Sequence, residues 1–598
     1  MPAIRRVRAA CAALLAIAFV PAGGAVELVH DVASFAPAEA RRAGDIIDDV
    51  AARLPAAWRA ALPSRVAVEW RDDLPPDVHG RAIRGRVLIA RRLLAARPPD
   101  SIDPAAAALV HELAHLLDRG PRGGLSREPR LLDLAGWQST LPTGRTARNV
   151  LRDRSVDPYE LGAPREFVAV NLEHALLDPS YACRRPALAR YFAARVGTPL
   201  VTSACAPGVA FVQSDARGDG AAPLLELDPA RVAGVDVLLA EPGAAAMSRW
   251  GHVMLRVVAC APGRPVGPAC RLDLAHHRVL SFRAFVDDVQ VSSWRGLTGS
   301  YPSRLFVLPL SQVIDEYTKV EMRGLRSIPL TLDRREIASL LEQASQLHWT
   351  YDGRYYFVSN NCAVETWRLL RDGVPRLVSA PVASLTPTGL LARLEAAGAA
   401  DASVLADRDA AVRDGHYFPS QSTHYATLFD VVRRGRPVRA RDVQAWLDLR
   451  PDARARWIDG ADLQGAAAML VLEDAALRRE ELRARDALKR RYAGTPAGDG
   501  IGEVLRLADR LSRPAALLPD GYGLPQQDER AALRSQATDL AMRWREASAR
   551  LHADAREALP PARRAALEAV EANVGRIGQR LRELNRASGG IELGRAAH

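Results

Sequence analysis

Three short stretches of this 598-residue chain place chemically capable side chains at useful spacings. The first is His111-Glu112-Leu113-Ala114-His115, which follows an unbroken apolar run. Residues four apart on a helix project on one side, so both imidazoles can reach one metal ion while Glu112 faces a water beside it. Zinc held there would lower the pKa of that water, and the glutamate would accept its proton, which is metal-assisted hydrolysis. A third ligand is expected from a second helix. The segment Arg165 to Glu173 offers Glu166 and Glu173, seven residues apart and so on one helix face.

The other two stretches are Trp250-Gly251-His252 and Tyr355-Tyr356-Phe357-Val358-Ser359-Asn360-Asn361-Cys362. Cys362 leads into an amphipathic helix, Ala363 to Leu370, whose dipole and free amides favour a thiolate. A nucleophilic thiol needs a base, and His252, opening an apparent strand from Val253 to Val258, is the best candidate. Asp273, His276 and His277 on the following strand are candidates to orient that histidine, and Asn361 or Tyr356 to hold an oxyanion. His416 and His424 are alternative bases whose plainer reading is structural.

The elements that must position these residues can be read from pattern. A basic stretch with Arg5, Arg6 and Arg8, an apolar segment from Ala9 to Val20 and small residues ending near Ala25 read as a secretory signal over residues 1–25. The mature chain is expected outside the cytoplasm. A first unit, 26–207, begins with a helix from Pro37 to Leu54, has strands at Val66 to Trp70 and Ala82 to Ala90, and is then mostly helical. A Gly-, Asp- and Pro-rich stretch suggests a linker over 208–229. A second unit, 230–430, shows strands at Val235 to Leu239, His252 to Val258, Arg271 to Phe282 and Leu305 to Leu308, with helices at Leu332 to Leu347 and after Asn361. The remainder, 431–598, has apolar residues at helical spacing and is expected to be a helical region.

Composition narrows the function classes. The net charge of +11 would suit an anionic partner, but Lys319 and Lys489 are the only lysines among 81 basic residues, and the arginines alternate with Asp and Glu along helices. Nucleic acid is therefore not expected as a partner. An envelope peptide, lipoprotein or acylated substrate is, with peripheral contact to a membrane surface left open.

Two resemblances sharpen the picture. HELAHLLD followed by EFVAVNLEHALLDP resembles the zinc peptidases related to anthrax lethal factor and the Mlc titration factor. That resemblance implies His111, His115 and Glu166 as Zn(2+) ligands, Glu112 as general base and Tyr159, seven residues before Glu166, as an oxyanion stabiliser. It implies Glu173 as the outer partner of a ligand histidine, or as the ligand with Glu166 outside. WGHVMLRV, the stretch from Ile328 to Leu332 and YYFVSNNC resemble the periplasmic domain of Lnb lipoprotein N-acyltransferases, within the permuted papain-like (NlpC-type) thiol enzymes. This implies Cys362 as nucleophile and His252 as its base, in an acyl-thioester mechanism.

The expected architecture is therefore α+β and multidomain, with a zincin-like mostly helical domain, a permuted papain-like domain and a C-terminal helical region. The leading expectation is a periplasmic enzyme with a zinc-peptidase-like site and a Cys-His acyltransferase or amidase site. The competing one is a non-catalytic envelope scaffold, or a thiol enzyme whose zinc is purely structural; Glu112 and Tyr159 count against the latter.

Setting Cys11 aside with the signal leaves five cysteines, an odd number that leaves one thiol free in an oxidising compartment. Cys183 with Cys205 and Cys260 with Cys270 are local pairs, and Cys362 is left over. Thiol titration of the native mature protein should therefore find one reactive group; three or five would overturn the pairing.

Overall fold

In the strand Arg65–Arg71 every second residue is apolar, and Val66, Val68 and Trp70 are the ones buried. The computed structural model describes residues 26–95, 102–120, 124–140, 144–202, 205–213, 222–243, 251–285, 300–434, 436–492 and 499–588. The expected signal segment, Cys11 and Trp250 lie outside these. The fold is α+β, and the chain divides into two units: residues 1–128, 165–179 and 189–200 in one, and 129–164, 180–188 and 201–598 in the other.

The first unit is built on a four-stranded sheet. Its strands are β1 (Glu27–His30), β2 (Arg65–Arg71), β3 (Gly80–Ile83) and β4 (Arg86–Ala90), in the order β1-β2-β4-β3. β1 and β4 run parallel to β2, and β3 runs antiparallel along the edge. The expected single strand from Ala82 to Ala90 is thus a hairpin. Arg84 and Gly85 both take positive φ (32° and 80°), the conformation that a two-residue turn between twisted strands requires. Helices α1 (Pro37–Arg53), α2 (Pro104–Arg119) and α3 (Pro164–Leu177) complete the unit, with α2 packed on α1, β3 and β4.

The second unit has a hairpin of β5 (Val209–Val212) and β6 (Leu224–Leu227) and a seven-stranded antiparallel sheet. The sheet strands are β7 (Val232–Ala240), β8 (His252–Ala259), β9 (Arg278–Ala284), β10 (Tyr301–Pro309), β11 (Leu325–Pro329), β12 (Gly353–Tyr355) and β13 (Tyr417–Phe418), in the order β12-β10-β9-β8-β7-β11-β13. Odd-numbered residues of β8 (Val253, Leu255, Val257) share a core with helices α4 (Arg334–Thr350) and α5 (Cys362–Gly373). Met254 belongs to a separate core on the other face with Leu238, Val279 and Tyr317. Long helices α6 (Leu463–Tyr492), α7 (Gln527–Glu557) and α8 (Pro561–Ala587) dominate the C-terminal part. Among the described residues no helix is long and apolar enough to cross a membrane.

Two expected boundaries are corrected. Residues 208–229 are not a plain linker: β5 and β6 bury Val209, Phe211 and Leu227 in the core of α4 and α5. Nor is 26–207 one domain, because residues 129–164 are bound into the second unit. Arg130 Nη1 reaches Asp372 Oδ1 at 3.1 Å, Arg371 Nη1 reaches Asp133 Oδ2 at 3.3 Å, and the backbone of Asp352 donates to Val150 O at 2.7 Å. Farther along, Arg154 reaches the carbonyls of Leu518, Tyr522 and Gly523 and the Glu529 carboxylate. Cys183–Cys205 and Cys260–Cys270 are disulfides and Cys362 is free and buried, as the parity argument requires.

The sheet interior holds one charged cluster. Asp236 on β7, fully buried, pairs with Arg271 and accepts from Ser327 Oγ at 2.6 Å, and Arg256 Nη1 lies 3.8 Å from it. Arg256, also fully buried, donates further to His277, Ser327 and the Gly415 carbonyl. Removing the carboxylate leaves the buried Arg256 without a counter-charge and the half-buried Arg271 without its partner. Asp236→Ala should cost about 3–5 kcal/mol, read from the denaturant midpoint; a shift below about 1 kcal/mol would mean water replaces it.

Candidate functional sites

α2 starts where Asp103 accepts from the amides of Ala105 and Ala106, with Pro104 at the first helical position. Four alanines follow, then the buried Leu109 and Val110, and the His111 and His115 rings stand 4.9 Å apart, edge to face. α3 contributes Glu166 from its first turn and Glu173 two turns on. Glu166 Oε2 lies 3.6 Å from His111 Nε2 and 3.1 Å from His115 Nε2. One donor atom from each of the three residues lies within 4.8 Å of the others. Glu166 Oε2 is nonetheless buried without a hydrogen bond of acceptable geometry. A buried carboxylate oxygen near two imidazole nitrogens, without a hydrogen bond to either, is a set of donors that could hold a metal ion. Glu173 Oε2 sits 3.4 Å from the other nitrogen of His111, Nδ1, where it fixes the ring.

Glu112 projects toward the edge strand. Its carboxylate takes the Ala82 amide, and Gly80 makes room, since a Cβ there would lie 2.7 Å from Glu112 Cγ. Burial raises the Glu112 pKa, opposed by the two histidines and the Ala82 amide. Burial alone would lower the His111 pKa, but Glu166 and Glu173 carry it up to about 9. Glu166 is held well below the usual carboxylate range: burial opposes ionisation, and His111 and His115 outweigh it. Tyr159 falls in the second unit, on the turn Pro158–Leu161, and is 58% exposed.

In the second unit Asn361 caps α5, accepting from Ala363 N at 3.0 Å and Val364 N at 3.3 Å, and its amide donates to the carbonyls of Phe357 and Leu385. The side chain is thus fully committed to holding the turn and is not available to an oxyanion. Tyr356 makes a backbone bridge to Asn360. The residue beside the sulfur is instead Tyr355, whose Oη accepts from Cys362 N at 3.2 Å while its hydroxyl bonds to Sγ.

The ladder between β8 and β9 extends only from Val257↔Arg278 to Leu255↔Leu280, and beyond it the two strands part. At that parting the Val253 amide acts on Cys362 Sγ, favouring its ionised form. His252, one residue earlier, sets its Nε2 3.1 Å from Ser281 Oγ on β9 and stacks on Tyr317 with ring centres 6.2 Å apart. Gly251 before it takes φ 79°, and a Cβ there would come within 2.6 Å of the Ala240 carbonyl, which accounts for the glycine in the motif. Arg283 Nε also donates to Ser281 Oγ at 3.0 Å. Tyr317 lies in a six-residue π-helical turn, Asp315–Val320.

The sequence therefore located the nucleophile and histidine candidates but not their surroundings. No hydrogen bond joins His252 to Cys362. Asp273 accepts from Ala261 N and Arg264, His277 is paired with Arg256, and His276 is exposed on a turn, so none of the three orients His252. They do not lie on a strand at all: two 3-10 turns, Pro268–Leu272 and Leu274–His276, precede β9. Ser281 has that position, and only the alternation of β9 could have pointed to it. His416 bonds to the Ser327 carbonyl and His424 is exposed on the helix Gln421–Arg433.

Residues 222–395 match the family model of the Lnb N-terminal periplasmic domain, which takes in His252, Ser281, Tyr355 and Cys362. Residues 120–203 match a domain of unknown function (DUF7844), which takes in Glu166 and Glu173 but begins after His115. No curated protein and no solved structure matches the chain. The periplasmic-domain match and the two disulfides fit an envelope location.

Electrostatics define the resting state of the thiol. Burial raises the Cys362 pKa despite the hydrogen bonds from Val253 and Tyr355, and the helix terminus does not reverse this. Burial, with Arg283 and Arg323 nearby, lowers His252 to about 3. At neutral pH the pair is then chiefly neutral thiol and neutral imidazole rather than an ion pair. Cys362 alkylation should rise about tenfold per pH unit through neutrality, following the thiolate fraction. A plateau extending down to pH 5 would instead show a preformed thiolate–imidazolium.

Proposed function

We propose that this is a periplasmic envelope enzyme in which Cys362 attacks acyl or amide carbonyls and a separate zinc-peptidase-like site is carried by His111, His115, Glu166 and Glu112. The observation that carries the thiol half is the seating of the one free cysteine among the described residues. Its Sγ meets the Val253 amide and the Tyr355 hydroxyl at the start of α5, inside the segment that matches the Lnb domain.

The chemistry follows from those groups. As Sγ bonds to the substrate carbonyl carbon, its proton passes to His252, whose ring is neutral and gains a favourable partner only as negative charge develops beside it. The C–O or C–N bond to the leaving group then breaks, the leaving group takes that proton, and a thioester remains. An amine or water attacks the thioester, returning the proton to sulfur and releasing amide or acid. Ser281 holds the imidazole in place. Tyr355 steadies the sulfur.

The metal half rests on a different observation, the buried Glu166 Oε2 lying between two histidine nitrogens without a hydrogen bond. Two imidazoles and a carboxylate fit Zn(2+), which when bound would acidify water and polarise a carbonyl. His111, His115 and Glu166 would hold it, Glu173 would keep His111 in its tautomer, and Glu112 would accept a proton. The substrates envisaged are envelope peptides, lipoproteins or other acylated molecules.

Mass spectrometry on periplasmically expressed protein tests both halves separately. After exposure to p-nitrophenyl acetate, the wild type should carry one acetyl group on Cys362, Cys362→Ala none, and His252→Ala should form it at least about tenfold more slowly. One zinc per chain is expected in protein never exposed to chelator, lost in both His115→Ala and Glu166→Ala. No adduct on Cys362 would sink the thiol reading, and no stoichiometric zinc the metal one.

A further inference from the structure

Two arginines flank His252 with bonding capacity that none of the described residues uses. Arg283 spends Nε on Ser281 Oγ at 3.0 Å and Nη1 on both oxygens of Glu316 at 3.1 and 3.0 Å. Arg323, 6% exposed, spends Nε on the Glu241 carbonyl and Nη1 on the Glu321 carboxylate. In both, Nη2 is buried and makes no hydrogen bond. A buried donor without a partner costs about 1–3 kcal/mol. Two of them in one neighbourhood call for an acceptor that the described residues do not provide.

They share that neighbourhood with the reacting groups. The Arg323 guanidinium lies 5.3 Å from the centre of the Tyr317 ring, and Tyr317 stacks on His252. Arg283 is bonded to the same Ser281 hydroxyl that holds His252, and it feels the charge of Glu321, the partner of Arg323. Both guanidinium charges act on the His252 ring. Glu316 and Glu321 balance the two positive charges, so what remains on offer is directed N–H groups rather than a diffuse field. Guanidinium donors of this kind suit the oxygens of a phosphate or carboxylate. The π-helical turn that carries Tyr317 between them is a local irregularity of a type frequent at functional sites.

We infer that Arg283 and Arg323 form an anion subsite beside His252, so that the substrate of the thiol site is an acyl compound bearing a phosphate or carboxylate group near its scissile carbonyl. The inference rests on the reading of Cys362 as the nucleophile. It adds the substrate class, with the anion holding the carbonyl at the sulfur while the acyl chain is transferred.

The test is calorimetric titration of full-length Cys362→Ala protein, which binds without turning over, using hexanoylglycerol 3-phosphate, uncharged hexanoylglycerol and inorganic phosphate. The phosphate-bearing acylglycerol should bind at least about tenfold tighter than its neutral twin. Arg283→Gln and Arg323→Gln should each abolish that preference, and Arg323→Lys should restore part of it. Arg283 is the less buried of the two, so its variant remains informative if Arg323→Gln melts. Equal binding of the two acylglycerols would overturn the subsite. Arginine-dependent binding of inorganic phosphate as tight as that of the acylglycerol phosphate would overturn the substrate assignment, making the free ion the ligand. Acetylation of Cys362 is measured independently, so anion binding without acetylation condemns the thiol reading, and acetylation without anion binding condemns this one.

Discussion

Much of the thiol site follows from the early end of one β-ladder. Backbone amides in a sheet interior are normally consumed by the neighbouring strand. Because β8 and β9 stay paired only as far as Leu255 and Leu280, the amide of Val253 is left for Cys362 Sγ. The same parting leaves space between His252 and Ser281 for a side-chain bridge of 3.1 Å. On the neighbouring strand β7, Asp236 anchors Arg271 and Arg256, and through them the turns before β9. The packing that fixes the sheet is therefore separate from the site, which sits where regular pairing stops.

Burial then decides the chemical character of the groups. Cys362, His252 and Tyr355 are all enclosed, and in each the neutral form is favoured. A thiol at a helix start would be expected to ionise easily, but the dipole of α5 is already met by Asn361, whose oxygen accepts from two of the first-turn amides. In the first unit the balance is reversed. His111 is half-buried and Glu166 buried, yet opposite charges lie close to each, and both are held in their charged forms.

What could be read in the sequence was local. The His111 and His115 pair follows from helical spacing, and Cys362 at a helix start from the Asn361 cap and the apolar periodicity after it. Both disulfides followed from parity and proximity. What could not be read depends on which strands become neighbours. Ser281 is one polar residue among many until β9 lies beside β8. The contact of Gly80 with Glu112 needs the hairpin turn at Arg84 and Gly85, where the more familiar Asn-Gly or Asp-Gly cue is absent. The four-residue strands β5 and β6 are too short to show a period, so the composition around them read as a linker. Asp273, His276 and His277 were placed on a strand because the apolar residues nearby mimic one, whereas Pro268 and the turns after it delay β9 to Arg278.

The path of the chain between α2 and α3 has a consequence for dissecting this protein. His111 and His115 precede residues 129–164, and Glu166 and Glu173 follow them, yet that intervening segment belongs to the other unit. The three metal-ligand candidates can be brought together only after the polypeptide has left its unit and come back. No single cut in the gene yields a self-sufficient N-terminal half: ending at residue 128 discards Glu166, and ending at 207 retains a piece whose packing partners are gone. The two units are thus interleaved along the gene, and a recombination event that exchanged one would carry part of the other with it.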